Sequence, residues 1–258
     1  MSFSADWLAL RERCDLLARN RTVLDAVVAA CRRQSSIAVV DLACGTGATL
    51  RALRGHLPAQ QRWRLVDNDL GLLAKAAALA RPPELTVATT PVDLARDLEL
   101  ALDGPLDLVT ASALLDLVSP EWLERLVVEA AARRLPVYAA LTYDGRVVAE
   151  PGEPFDAEMV AGLNRHQLTD KGFGPALGPK AAASALECFA RAGYQVVQGR
   201  SDWLLGGEDR EIQETLFASW AELAPLTTRL SRREIALWLA DRRRHLAQGR
   251  STLRIGHI

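Results

Sequence analysis

Apolar and polar positions follow two rhythms along the chain. Through residues 37–143, short apolar runs alternate with stretches whose apolar residues recur every three or four positions. The runs at 37–43, 62–69, 84–94, 106–112 and 135–143 predict five strands, the third with its trailing loop. The periodic stretches at 48–57, 70–80 and 120–134 predict helices between them. Pro58 closes the first of these helices, and Arg81-Pro82-Pro83 stops the second. Ahead of them, Leu8, Leu16, Leu17, Val23, Leu24, Val27 and Val28 fall at helical spacing and predict one or two helices over 5–33.

The second half is less regular. Residues 156–168 have helical character, and 169–179 is a loop rich in glycine and proline. Pro179 suits the first turn of a helix that Gly193 ends. A sixth strand is expected at 194–206, helices at 209–224 and 232–248, and a last strand at 251–258. Strands and helices alternating over short connections argue for an α/β fold, a doubly wound parallel sheet with helices on both faces. No linker marks off a second domain, so 1–258 reads as a single unit.

Composition narrows the function classes. Of 258 residues, 49% are hydrophobic and 24% charged, with a net charge of −1. The balance is that of a globular protein and carries no basic excess, so a nucleic-acid partner is not expected. No apolar stretch approaches the roughly 20 residues that span a bilayer. Arg11, Glu12 and Arg13 arrive too early for a signal-peptide core, and a cytoplasmic location is expected. Cys14, Cys31, Cys44 and Cys188 form no CxxC pair and no zinc spacing with histidine, so reduced core cysteines and no metal are expected.

Candidate chemistry begins at Val39-Val40-Asp41-Leu42-Ala43-Cys44-Gly45-Thr46-Gly47. A turn after the first strand lies where ligands bind in an open α/β sheet. Gly45, Gly47 and the small Ala43 let the backbone pass close beneath a bound molecule. Asp41, at the strand end, faces either a cation or the loop amides. Asp67 ends the second strand about 20 residues later, where ribose hydroxyls lie in dinucleotide-type sites, and Asp69 caps the next helix. Leu50 stands where a nicotinamide-binding turn would carry its third glycine. A carboxylate facing the turn also repels a pyrophosphate and suits a cationic ligand.

Together, VVDLACGTG, LVDND and LDLVTASALLDLVS resemble the ordered motifs of class I S-adenosylmethionine-dependent methyltransferases. The resemblance covers nearly the whole chain. It implies a seven-stranded, mostly parallel sheet with an antiparallel C-terminal strand. It also implies a helical cap at 1–36, a cofactor-binding half at 37–143, a substrate lid at 144–180 after the fifth strand, and the rest of the sheet at 181–258. S-adenosylmethionine would lie against Asp41, Ala43, Cys44, Gly45, Gly47, Asp67, Asn68, Asp93, Leu94 and Ser112. Thr89, Thr90 and Asp97 compete with Asp93 for its role. Tyr143, Asn164, His166, Gln167, Asp170, Lys171 and Phe173 form the expected acceptor set, with core packing the alternative for Tyr143. Asp116 or His166 would serve as general base, Asp116 being otherwise a capping or surface acid. Trp7 and Arg11 either pack their helix on the sheet or fold over the cofactor. Trp203, Trp220 and Trp238 read as core, and Arg242-Arg243-Arg244-His245 as a solvated face near a helix C-terminus.

The activity so implied is methyl transfer to a small polar metabolite. Three other classes compete: an RNA or protein methyltransferase, a nicotinamide-dependent oxidoreductase, and a non-catalytic cofactor-binding scaffold. No Asn-Pro-Pro-Tyr-like segment of base methylation is present.

Overall fold

A computed structural model describes residues 3–32, 34–81 and 83–258. Arg33, at the end of the first helical stretch, and Pro82, in the expected helix stop, lie outside the described residues. Two helices open the chain, α1 (Ala5–Ala18) and α2 (Arg21–Cys31), each capped by a side chain, Ser4 and Asn20. Five parallel strands follow: β1 (Ser36–Leu42), β2 (Gln60–Asp67), β3 (Leu85–Pro91), β4 (Leu108–Ser112) and β5 (Val137–Ala140). Their order in the sheet is β3-β2-β1-β4-β5. The connections are α3 (Ala48–Leu53), α4 (Leu70–Ala77), the short α5 (Leu98–Ala101) and α6 (Pro120–Ala132). β1 is buried from Ile37 to Leu42, as a parallel strand covered on both faces must be. Order reverses between β1 and β4, and the crevice opens at their carboxyl ends.

The expected fifth strand is not one element. Leu141 takes a positive φ of 59°, the ladder with β4 stops, and the chain turns at once into β6 (Tyr143–Glu150). β6 pairs antiparallel with β8 (Thr252–His257), whose other edge holds β7 (Trp203–Leu205). In place of a single seven-stranded sheet there is a five-stranded parallel sheet and a separate three-stranded antiparallel one, ordered β6-β8-β7. Within the expected sixth strand only Trp203–Leu205 forms a ladder with β8, and ahead of it the Ser201 N–H donates to the His257 carbonyl at 2.8 Å.

Residues 144–180 are not a loose insertion. β6 is a sheet strand, and α7 (Asp156–Gln167) packs against α9 (Arg210–Thr227). A 3-10 turn at Gly178–Lys180 leads into α8 (Ala181–Arg191). The last helix is α10 (Arg232–Ala247). The face expected to be solvated there is partly interior. Arg242 is fully buried, paired with Asp156 and donating to the Pro151 carbonyl at 2.7 Å, and His245 meets Glu153 at 2.6 Å. Two hydrophobic clusters line the faces of the parallel sheet. A third, with Phe217, Trp203, Trp220 and Trp238, fills the space between the antiparallel sheet, α7, α9 and α10. No helix among the described residues is long and apolar enough to cross a membrane.

Candidate functional site

The turn after β1 is shaped by positive φ angles at Ala43 (52°), Gly45 (55°) and Gly47 (83°). A Cβ on Gly45 would stand 3.0 Å from Leu8 Cδ1 of α1, so this glycine lets α1 close down on the turn. A Cβ on Gly47 would stand 2.5 Å from Leu79 Cδ1, so that glycine serves the packing of the chain after α4. Asp67, at the tip of β2, clamps the turn from the other side: one carboxylate oxygen accepts the Gly45 N–H at 2.9 Å, the other the Asp69 N–H at 3.0 Å. Asp69 caps α4 through the N–H groups of Gly71 and Leu72. Arg51 of α3 ties α1 down, pairing with Glu12 while donating to the Thr46 carbonyl at 2.6 Å.

A cavity of about 180 Å³ lies over this turn. Of the expected cofactor residues, Ala43, Gly45, Asp67, Asn68, Asp93, Leu94 and Ser112 line it. Asp41, Cys44 and Gly47 do not. Asp41 is wholly buried beneath the turn, accepting a hydrogen bond from Thr110 Oγ1 at 2.7 Å, and among the described residues its second oxygen has no partner. Burial pushes its pKa up to about 7, against the pull of Thr110, the nearby Arg19 cation and Thr49. Arg19 in turn donates to Ser112 Oγ at 3.1 Å and to the Tyr138 hydroxyl at 3.2 Å. Burial raises the Cys44 thiol far above its ordinary range, which leaves it an inert wall of the core.

Of the expected acceptor set, only Lys171 and Phe173 reach the cavity. Phe173 sets its ring edge on Trp122 at 5.5 Å between centroids, and Trp122 Nε1 donates to the Leu94 carbonyl at 2.6 Å. Tyr143 and Asn164 are spent on one another: the phenol donates to Asn164 Oδ1 at 2.7 Å, and Asn164 donates to the Gly145 carbonyl at 3.1 Å. Asp170 folds back onto the N–H groups of Gly172 (2.6 Å) and Gly174 (3.0 Å), and the Gln167 carbonyl packs against Gly178. His166, in the last turn of α7, lies off the wall with its ring nitrogens 3.3 Å from Lys171 Nζ. Burial and then the Lys171 charge push its pKa down, which favours the neutral imidazole. Asp116 is also off the wall. It is buried, one carboxylate oxygen has no partner among the described residues, and burial raises its pKa to about 6.

Other wall residues were not expected: Phe3, Leu8, Leu72, Val92, Leu114 and Leu117 among them. They are ordinary apolar side chains whose sequence signal is that of a core. Arg11 joins them, its guanidinium bound at 2.8 and 3.0 Å to Asp15 and lying 5.0 Å from the Trp203 ring centroid. Trp7 packs on the third cluster, while Leu8 and Arg11 line the cavity. A larger cavity, about 250 Å³, lies at the edge of β5 between α2 and α8. None of the side chains lining it is charged. Among the described residues no group of three or more His, Cys, Asp or Glu is gathered as a metal site needs.

Residues 39–136 match the family model described as a methyltransferase domain. No curated protein matches the chain. Among solved structures, it is similar to a cyclopropane synthase from Mycobacterium tuberculosis, at 12% identity over 99% of this chain and 94% of that one, with a TM-score of 0.50. It is also similar to a SAM-dependent methyltransferase from Thiobacillus denitrificans in complex with S-adenosyl-L-homocysteine, at 14% identity over 100% and 98% of the two chains, with a TM-score of 0.43. At 12% identity the likeness to the cyclopropane synthase is one of fold.

Proposed function

We propose that the chain is a class I, S-adenosylmethionine-dependent methyltransferase, a reading that the methyltransferase-domain match over residues 39–136 supports, and that it methylates a small polar metabolite in the cavity over the Gly45 turn. The observation that carries the reading is the Asp67 carboxylate, on the cavity wall and locked to the Gly45 N–H. Two N–H groups of the turn are already taken, Gly45 by Asp67 and Gly47 by the Cys44 carbonyl. They are not free to receive a pyrophosphate, which argues against a nicotinamide dinucleotide. The open face of Gly45 and the carboxylate beside it fit an adenosyl sulfonium.

Asp67 would hold the ribose hydroxyls, with Asn68, Asp93 and Leu94 bounding the adenine side and Ala43, Gly45 and Ser112 the methionine side. The cofactor supplies a methyl group already activated on sulfur. The protein's task is to align the acceptor with it and exclude water, and such positioning contributes on the order of 7–11 kcal/mol. An acceptor of high pKa also needs a proton acceptor. His166, its pKa lowered by burial and by Lys171, and Asp116, with its raised pKa, are the groups we assign to that role.

Titration calorimetry with S-adenosylhomocysteine tests the assignment. Asp67→Ala should weaken binding by roughly 1.5–3 kcal/mol, the worth of hydrogen bonds to a charged group. Unchanged affinity removes Asp67 from the site and the reading with it. A metabolite screen for S-adenosylhomocysteine release then identifies the acceptor.

A further inference from the structure

We propose that the methyl acceptor is a carboxylic acid with an apolar body, its carboxylate bound by Lys171 and its body seated against Phe173 and Leu117. This rests on the methyltransferase reading and narrows its acceptor.

Lys171 meets the C-terminal end of α7 through the His166 carbonyl, and among the described residues no carboxylate pairs with it. Lys171 is only 6% exposed, and it lines the cavity. Its ammonium meets the His166 carbonyl at 2.9 Å, the Thr169 hydroxyl at 2.9 Å and the His166 ring at 3.3 Å. The adjacent acid, Asp170, is turned onto the loop amides of Gly172 and Gly174 and gives it no counter-charge. Burial pulls the Lys171 pKa down, and no carboxylate among the described residues opposes that pull. A buried cation without a counter-ion is costly to keep in a folded chain.

The other charges on the wall are already matched. Arg11 is bound bidentately by Asp15, Asp67 by main-chain N–H groups, and Asp93 lies 3.6 Å from Arg96 on an open surface. Lys171 is therefore the place where a ligand's negative charge is wanted. A single ammonium suits a monoanion, whereas a phosphate dianion calls for a cluster of donors. The walls beside it are apolar: Phe173, held edge-on by Trp122, with Leu114 and Leu117. An acid with an aromatic or alkyl body meets both demands.

The test is calorimetry on the full chain saturated with S-adenosylhomocysteine, using 3-phenylpropionate and 3-phenylpropionamide as matched probes. The carboxylate is expected to bind at least roughly tenfold more tightly than the amide, the scale of one charge-assisted hydrogen bond. Lys171→Met should bring the carboxylate down to the amide's level and leave S-adenosylhomocysteine affinity unchanged. Lys171→Arg should keep the preference. Equal binding of the two probes, binding of neither, or a preference that survives Lys171→Met overturns the proposal. Should Lys171→Met not fold, the wild-type ratio and Lys171→Gln decide. Failure of S-adenosylhomocysteine itself to bind counts against the methyltransferase reading, and the carboxylate preference is then read on the unliganded chain.

Discussion

Asp41 carries a proton that the unfolded chain would release. Burial holds its folded pKa near 7, above the ordinary carboxylate range, so the stability it contributes is full at acid pH and is lost as pH rises through about 7. His257, pushed by burial down to about 4, acts in the opposite sense: stability it withholds at low pH returns as pH rises toward the ordinary imidazole range. Comparing wild type with Asp41→Asn cancels the His257 effect. The substitution should flatten the fall in stability between about pH 4 and about pH 8, read as denaturation midpoints across that range. Equal slopes would mean that Asp41 is ionised in the folded chain. The burial of Asp41 was not legible: expected to face a cation or the loop amides, it lies wholly inside, bonded to Thr110 of the neighbouring strand. Asp67 was legible because it closes a strand at the ribose spacing. The fates of Tyr143, Asn164 and Asp170 were not. Each is decided by one neighbour brought in by tertiary packing, or by a turn of its own loop, and residue type alone gives no direction.

At the level of elements, Gly47 sets how closely the chain after α4 can approach the turn. Its φ of 83° and the 2.5 Å approach of Leu79 leave no room for a methyl group. Gly47→Ala should cost about 1–3 kcal/mol in chemical denaturation, the range of overpacking, and Leu79→Ala should restore part of it. An uncompensated loss in the double mutant would place the strain in the backbone rather than in the contact. Helices and parallel strands were legible because their periods repeat over many residues. The division of β5 from β6 was not, because it depends on one left-handed residue, Leu141, and on the Thr142–Ile258 pair that closes after it. The shortening of the sixth strand was equally hidden: 194–202 has strand-like composition, but of the 194–206 stretch only Trp203–Leu205 forms a ladder with β8.

Across the whole molecule, α1 is the piece that belongs to both sheets. Glu12 fastens it to Arg51 beneath the glycine turn, while Asp15 accepts the Trp203 indole N–H at 3.0 Å from the antiparallel sheet. Asp15 also holds Arg11, which lines the cavity and lies 5.0 Å from the same indole ring. Trp203→Phe removes the indole donor and touches no predicted ligand contact. We expect S-adenosylhomocysteine to bind roughly 2- to 10-fold more weakly, the net worth of one ordinary hydrogen bond, since the loss reaches the cavity only through Arg11. Undiminished binding would show that Arg11 keeps its place without the indole. The arrangement makes a remote tryptophan an arbiter of occupancy. Substitutions accepted on grounds of core volume alone, far from any reacting atom, would register as changes in how long the product lingers.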